Sequence, residues 1–527
     1  MHESNLKQRV LSTSERDFEV IRLHRKEYLQ PFEDELAIRE LEGLGFDVVS
    51  SDYRSNLFDI RRVETKEGER KLNRLAYFDW IINDHFSPSL QSCREGTSVN
   101  ATPDHSSFPK RRKLRFGPHD FHEYRGKFFP QLVRSLCNIA GLEEESIVLD
   151  PMCGSGTTLV EARALDMKAL GIDLNPLSVL ISDVKTDSVG WDIKRIKCIR
   201  KDIEEILAIS YDSFSLPWEE KDKLYLKRWF EDEALQDIAS LLLRFHEIDD
   251  KSLRNFTQVC LSDILRTISH QKIDDLRVRK EYHTYQSKEA FILFRRRVED
   301  MLTSVQDLVS LDSGKNMNYD VQVGDARLPE TVYNSVMGGV DAIITSPPYA
   351  TALPYLDTDR LSLIVLGLLP RTQHKSAELN MIGSREITEK ERQAIWKEYL
   401  ERKQELPSSI VALIDKLALF YHRKGVGFRR RNKPALLARY FFDMKKVLEG
   451  MYRMLRPSSP TFVMVGNNST RIDGQRIDIQ TDVFLAQLAK SVDFEVQFNI
   501  NMELLVSRDI FRNNRGTREK ILCLVKR

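Results

Sequence analysis

Residues 147–158 read Ile147-Val148-Leu149-Asp150-Pro151-Met152-Cys153-Gly154-Ser155-Gly156-Thr157-Thr158. Three apolar residues in a row predict a short buried strand. Asp150 and Pro151 end it, because proline has no amide hydrogen to give a ladder. Gly154 and Gly156 allow a tight turn and a close approach of backbone to ligand, and a helical stretch succeeds them over 159–165. Strand, glycine turn and helix form the opening unit of an open α/β sheet, and the helix N-terminus favours negative charge such as a carboxylate. Many βα junctions carry a lone Gly-x-Gly turn, so the reading depends on the strands downstream of it.

The pattern recurs along the chain. Ala169–Ile172 reads as a strand ending in Asp173, an acid placed to accept hydrogen bonds from two ribose hydroxyls. Val321–Val323 ends in Gly324 and Asp325, where a carboxylate is placed to accept from an adenine amino group. Ala342-Ile343-Ile344 runs into Thr345-Ser346-Pro347-Pro348-Tyr349. Two successive prolines make a rigid turn with a hydroxyl on one side and an aromatic ring on the other. Such a turn suits a planar ring bearing an NH2 group. The ring stacks on Tyr349 while Ser346 and a proline-region carbonyl accept from the amine. Each acid by itself is equally compatible with a helix cap or a solvated loop, and Pro-Pro-Tyr by itself with a plain strand stop. Together they lie at the C-terminal ends of successive predicted strands, where open α/β sheets bind ligands.

These motifs resemble those of the S-adenosylmethionine-dependent DNA amino-methyltransferases of restriction-modification and related systems. Asp-Pro-Met-Cys-Gly-Ser-Gly-Thr-Thr is similar to that family's cofactor loop, and Thr-Ser-Pro-Pro-Tyr to its catalytic motif, in the serine form typical of cytosine-N4 enzymes. Phe121 to Pro130 resembles the segment beside the methionine end of the cofactor. Val463 to Asn467 resembles a strand and turn of the same sheet, and the tail from Asn513 into 521–525 its last hairpin. The motifs run cofactor loop first and catalytic motif later.

The resemblance implies S-adenosyl-L-methionine as cofactor. Lys127 and Phe128 would stand at its methionine end, and Asp150, Pro151, Cys153, Gly154, Ser155, Gly156, Thr157 and Thr158 around its carboxylate end. Asp173 would meet its ribose, and Asp325 and Ala326 its adenine, while Ser346, Pro347, Pro348 and Tyr349 form the catalytic motif. It implies methyl transfer to the N4 amino group of a flipped-out cytosine in double-stranded DNA, with a cognate restriction endonuclease as a candidate partner. Adenine N6 in DNA and a base in RNA are the alternative substrates. A cofactor- and DNA-binding subunit of a defence complex is the non-enzymatic alternative.

The implied fold is a seven-stranded, mostly parallel Rossmann-like α/β sheet. It has helices on both faces, an antiparallel last hairpin, and strands near 147, 169, 321, 341, 461, 495 and 521. Residues 1–85 read as a small mixed module, with a helix over 32–44 and strands over 57–63 and 75–82 around a charged turn. Residues 86–116 read as a polar linker with the cluster Lys110-Arg111-Arg112-Lys113. Residues 117–186 form the cofactor half, and 187–320 a helical insertion that is the candidate target-recognition region. Residues 321–527 form the catalytic half, with a second helical insertion near 371–440.

Lys and Arg number 80 against 79 Asp and Glu, so a nucleic-acid face must come from local clustering. Two clusters qualify. One runs through Arg266, His270, Lys272, Arg277, Arg279 and Lys280, with Tyr282 and Tyr285 between basic residues and Arg295-Arg296-Arg297 beyond; the other is Arg429-Arg430-Arg431 with Lys433. Arg277, Arg279, Lys280, Arg429, Arg430 and Arg431 are the phosphate-contact candidates, with a solvated helix face as the competing reading. Six scattered cysteines without a Cys-x-x-Cys pair predict neither a zinc site nor a disulfide framework. Asp59 with Glu64-Thr65-Lys66 is only a faint match to a nuclease metal site, its spacing being short, so no metal is expected. No leader-like or membrane-spanning run is evident, which predicts a cytoplasmic protein without membrane contact.

Overall fold

In the structure, a computed structural model, residues 20–527 are described except 28, 54, 62–65, 83–84, 88, 96–114, 125, 127, 212, 273–278, 310, 312–317, 351–354, 386, 422–425, 473–474 and 503–518. Lys127, Arg277, Lys110 to Lys113, Glu64-Thr65 and Asn513 to Thr517 therefore lie outside the described residues.

The N-terminal module is a five-stranded sheet. Its strands are β1 Val20–Arg25, β2 Val48–Asp52, β3 Leu57–Arg61, β4 Phe78–Ile82 and β5 His85–Ser87, in the order β2-β3-β1-β4-β5. The helix Pro31–Gly43 starts with proline in its first turn behind a capping box of Gln30 and Glu33, and packs on the helix Pro130–Ile139. The charged turn expected between the strands holds the helix Lys66–Arg74, which buries Leu72. Asp59 pairs with Arg22 at 2.9 Å.

The expected linker over 86–116 needs correction at its start. The helix Leu90–Arg94 is capped by Ser89, and Asp79 Oδ1 accepts from Ser89 N and Ser92 Oγ, both at 2.7 Å. Arg94, fully buried, donates to Glu161 Oε2 at 2.8 Å. Glu161 also accepts from Arg134 Nε at 3.0 Å and sits 2.8 Å from His119 Nε2. Polar composition suggested a solvated linker, but Ser89, Ser92 and Arg94 make hydrogen bonds inside the fold.

The central sheet contains β6 Ile147–Asp150, β7 Lys168–Asp173, β8 Tyr319–Val323, β9 Ala342–Thr345, β10 Pro460–Gly466, β13 Phe494–Met502 and β14 Glu519–Lys526. A two-stranded ribbon, β11 Asn468–Ile472 with β12 Gln475–Ile479, separates β10 from β13. The sheet order is β13-β14-β10-β9-β6-β7-β8. β10, β9, β6, β7 and β8 run parallel, while β14 is antiparallel to both β10 and β13. This is the seven-stranded, mostly parallel sheet with an antiparallel last hairpin that the sequence implied.

Side chains alternate between its two covered faces. Val148 and Ile344 belong to the core made by the helices Pro130–Ile139 and Thr157–Ala164, whereas Leu149 and Ile343 belong to the core made by the helix Phe428–Met454.

Five helices fill the first insertion: Ile193–Ala208, Glu220–Leu226, Asp232–His246, Lys251–Leu265 and Glu289–Gln306. They share one apolar core with Leu177, Leu180 and Ile181 of the helix Pro176–Ser188. Part of the expected basic and aromatic surface here is taken up by contacts within the insertion. Arg297 pairs with Asp263 at 2.7 Å, Arg295 with Glu204 at 3.0 Å, and Tyr285 is buried with its hydroxyl on Asp237 Oδ2 at 3.0 Å. The second insertion holds the helices Arg371–Asn380, Glu389–Arg402 and Ser408–Tyr421. Among the described residues no helix is long and apolar enough to cross a membrane, and no group of three or more side chains is set to hold a metal ion.

Candidate active site

A cleft opens at the C-terminal ends of β6, β7, β8 and β9. Its floor is the turn after β6, where Pro151, Met152, Cys153, Gly154, Ser155 and Thr157 line the space. The glycines are there for geometric reasons. Gly154 has φ +51° and Gly156 φ +79°, and a Cβ at Gly156 would stand 2.9 Å from Ser182 Cα. Asp173 Oδ2 accepts from Gly154 N at 2.9 Å and its Oδ1 from Asn175 N at 2.8 Å, so the acid at the end of β7 pins the glycine turn. Burial pushes the Asp173 carboxyl up to about 6, against the pull of these backbone donors.

Two hydroxyls on the turn are left without partners. Ser155 Oγ and Thr157 Oγ1 are buried, line the cleft and have no partner within the protein. A buried hydroxyl without a partner costs about 1–3 kcal/mol, so a ligand with acceptor oxygens relieves both. The amino-acid end of S-adenosyl-L-methionine, with its carboxylate, fits this set of donors beside a helix N-terminus.

Ser346, Pro347, Pro348 and Tyr349, the turn after β9, line the same cleft. Thr345 faces the other way, donating to Asp150 Oδ1 at 2.7 Å. Phe128, Asp173 and Ala326 are also cleft residues.

Several expected cofactor contacts are placed elsewhere. Asp150 is 1% exposed, and its carboxylate is taken up by Thr345, by Thr158 Oγ1 at 2.9 Å and by Met152 N at 3.1 Å. It braces β6, β9 and the helix Thr157–Ala164 from behind the cleft, and Thr158 shares that role. Burial pushes Asp150 up to about 7. Gly156 makes the turn possible without lining the cleft. Asp325 spends both oxygens on Arg327, Nε and Nη2 approaching at 2.6–2.9 Å, while its neighbours Gly324 and Ala326 reach the cleft. The Cys153 thiol is buried and pushed up by that burial, as suits a space-filling residue.

Tyr124 and Gly126, from the segment expected beside the methionine end of the cofactor, line the cleft as well, and so do residues that sequence reasoning did not single out: Leu174, Asn175, Met381, Ile382 and Glu519. Asn175 carried a legible signal, since Asn-Pro after a strand-ending acid marks a helix N-cap. Its Oδ1 accepts from Leu177 N at 3.1 Å and its Nδ2 donates to Asp359 Oδ2 at 2.8 Å. Met381, Ile382 and Glu519 come from segments distant in sequence and carried none.

Of the phosphate-contact candidates, Arg279 and Lys280 are exposed on the segment after Lys251–Leu265, and Lys280 Nζ lies over the Tyr282 ring at 4.9 Å from its centroid. Arg429, Arg430 and Arg431 occupy the first turn of Phe428–Met454, which holds no acid.

A family model described as "RMKL-like, methyltransferase domain" matches residues 86–200. The chain is 24% identical over 398 residues to the Type II methyltransferase M.MvaI of Kocuria varians, covering 71% of this chain and 81% of that one. It is 24% identical over 403 residues to the Type II methyltransferase M.AvaI of Nostoc sp., covering 71% and 78%. Over 127 residues it is 29% identical to the tRNA (guanine(10)-N2)-dimethyltransferase of Methanothermobacter thermautotrophicus, covering 22% and 37%. The resemblance carried by the motifs thus extends over most of the chain to the methyltransferases of restriction-modification systems, and these homologues imply S-adenosyl-L-methionine as the methyl donor.

Proposed function

We propose that this chain transfers a methyl group from S-adenosyl-L-methionine to the exocyclic N4 amino group of a flipped-out cytosine in double-stranded DNA. One observation carries the reading: the glycine turn with its two partnerless hydroxyls and the Ser346–Tyr349 motif line one continuous cleft. When bound, the cofactor supplies an electrophilic methyl group.

Ser155 and Thr157 take the carboxylate end and Asp173 the ribose. An aromatic amine is a poor nucleophile because its lone pair is delocalised into the ring. Ser346 Oγ and the Pro347 carbonyl accept its two hydrogens, favour a more tetrahedral nitrogen and free the lone pair. Positioning and fixed acceptor dipoles supply most of the effect. Tyr349 provides the face on which a base taken out of its duplex stacks. Serine rather than aspartate at the head of Pro-Pro-Tyr favours cytosine over adenine.

DNA phosphates are met by Arg429, Arg430 and Arg431, with Arg279 and Lys280 as a second contact. Cations in the first turn of a helix oppose its dipole, so the cluster at the start of Phe428–Met454 gains from an anion. A restriction endonuclease of the same specificity is the partner such an activity would protect against. The similarity to a tRNA methyltransferase supports RNA as a second reading.

Duplex DNA and tRNA, each incubated with cofactor and protein, digested to nucleosides and measured by mass spectrometry, test the assignment. N4-methylcytosine in DNA is expected. N6-methyladenine alone overturns the base, and modified tRNA alone overturns DNA. Ser346→Ala should lower the rate on the order of a hundredfold with cofactor affinity retained; full activity in that variant overturns the mechanism.

A further inference from the structure

We propose that Met381 and Ile382 form the wall that limits the size of the target base, and that Arg327 and Arg439 are the positioning residues that hold this wall in place. The proposal rests on the methyl-transfer reading above. Both apolar residues line the cleft, yet they come from the second insertion, just after the helix Arg371–Asn380. The turn they belong to sits on the catalytic motif. Gly383 has φ +76°, and a Cβ there would stand 3.0 Å from the Tyr349 carbonyl oxygen and 3.3 Å from Pro348 Cβ. Only glycine allows this approach. Met381 and Ile382 are thereby placed in the cleft beside the Pro-Pro-Tyr turn, which the methyl-transfer reading assigns to the base.

A turn of this kind has few backbone partners of its own, and two guanidinium groups supply them. Arg439 Nη2 donates to Ser384 O at 3.0 Å and its Nη1 to Leu379 O at 3.4 Å. Arg327 Nη2 donates to Asn380 O at 3.0 Å, while its Nη1 reaches Asp443 Oδ1 at 2.9 Å and its Nε reaches Asp325. Arg327 thus ties the end of β8 and the long helix Phe428–Met454 to the turn carrying Met381. The planar fork of arginine allows three acceptors at fixed angles, which a lysine ammonium on a flexible stem cannot match.

A wall of this sort is read most directly in the choice of base. Cytosine is smaller than adenine, so truncating the wall makes room for the purine. Full-length wild type, Met381→Ala, Ile382→Ala, Met381→Leu, Arg327→Lys and Arg439→Lys are compared on unmethylated duplex DNA of mixed sequence at saturating cofactor. Product nucleosides are measured by mass spectrometry, cofactor affinity by calorimetry and folding by melting temperature. Met381→Ala and Ile382→Ala should raise the ratio of N6-methyladenine to N4-methylcytosine at least tenfold, with cofactor Kd within about twofold. Met381→Leu should keep the wild-type ratio. The two lysine variants should move the ratio in the same direction by a smaller factor. An unchanged ratio in both alanine variants overturns the proposal, as does a tenfold loss of cofactor affinity with product ratio and kcat retained, which would assign these residues to the cofactor. A wild-type protein that methylates neither base overturns the underlying reading, a result visible before any variant is made.

Discussion

The Tyr349 hydroxyl donates to Glu519 Oε1 at 2.5 Å, tying the turn after β9 to the first residue of the last strand. Behind the ring stands Gly466, where a Cβ would lie 2.7 Å from Tyr349 Cζ. The ring is therefore held at its rim by a carboxylate and along its side by backbone. Tyr349→Phe keeps the stacking surface and loses one hydrogen bond, so methyl transfer should fall only about fivefold, the equivalent of roughly 1 kcal/mol. Tyr349→Ala should lose on the order of a hundredfold or more. Tyr349→Trp should fare nearly as badly, although stacking alone would accept an indole, because Gly466 leaves no room for a larger ring. Gly466→Val should cripple turnover in the same way. Single-turnover rates with calorimetry of cofactor binding check all four, and wild-type turnover in Gly466→Val would refute the packing argument.

Asp173 gives cofactor binding a pH dependence of definite sign. Burial pushes its carboxyl up to about 6 in the free protein. Ribose hydroxyls donate to the ionised form, so affinity should be flat above about pH 7 and fall as pH drops below 6, by up to about tenfold per unit. Asp173→Asn should flatten the profile. Asp173→Ala should weaken binding by roughly 1.5–3 kcal/mol, the scale of a hydrogen bond to a charged group. Calorimetric titrations between pH 5 and pH 8 decide the matter.

The buried group of Glu161, Arg94, Arg134 and His119 should dominate acid sensitivity. Burial by itself would raise Glu161, but the Arg94 and Arg134 guanidinium groups outweigh it and hold the carboxyl well below the usual range. Burial pulls His119 down to about 4, with the contact to Glu161 opposing it. Both folded values lie below the unfolded ones. The contribution of His119 is thus complete above about pH 6.5 and is lost as pH falls through 4, whereas that of Glu161 begins to fade only below about pH 4.5 and is lost at still lower pH. For His119 alone this amounts to roughly 3 kcal/mol, at about 1.4 kcal/mol per unit. Removing one member of the ion pair, as in Glu161→Ala or Arg94→Ala, should cost about 3–5 kcal/mol. Denaturant unfolding at pH 7 and pH 4.5 would expose a smaller or pH-independent loss.

Salt dependence separates the two basic clusters. Each phosphate contact adds about 0.9 to the slope of log K against log salt on duplex DNA. Replacing Arg429, Arg430 and Arg431 with alanine should lower that slope by about 2 to 3, and replacing Arg279 and Lys280 by less, since Lys280 already stacks on Tyr282. An unaltered slope in the triple variant would leave that cluster as a solvated helix start.

Much of the sheet is legible in the chain itself. Short apolar runs stopped by Asp-Pro, Gly-Asp or Ser-Pro-Pro mark β6, β8 and β9, because strand burial and strand termination are local properties of composition and proline chemistry. The same runs order the cleft, since ligand-facing loops of an open parallel sheet must come after the carboxyl ends of its strands.

Side-chain partnership is not local, and there the sequence runs out. Asp150 and Asp173 both end strands, yet Thr345 and Thr158 draw Asp150 behind the sheet while Asp173 lines the cleft. Arg297 and Tyr285 read as nucleic-acid contacts until Asp263 and Asp237, brought from neighbouring helices, claim them. Met381, Ile382 and Glu519 join the cleft only through the packing of an insertion and a C-terminal strand against the Pro-Pro-Tyr turn. What the sequence alone determined is the run of strands, the glycine turn and the rigid Ser-Pro-Pro-Tyr turn after β9. Only the tertiary structure decided which acids and which apolar side chains line the cleft, because a hydrogen bond or a packed contact depends on distances that chain order does not set.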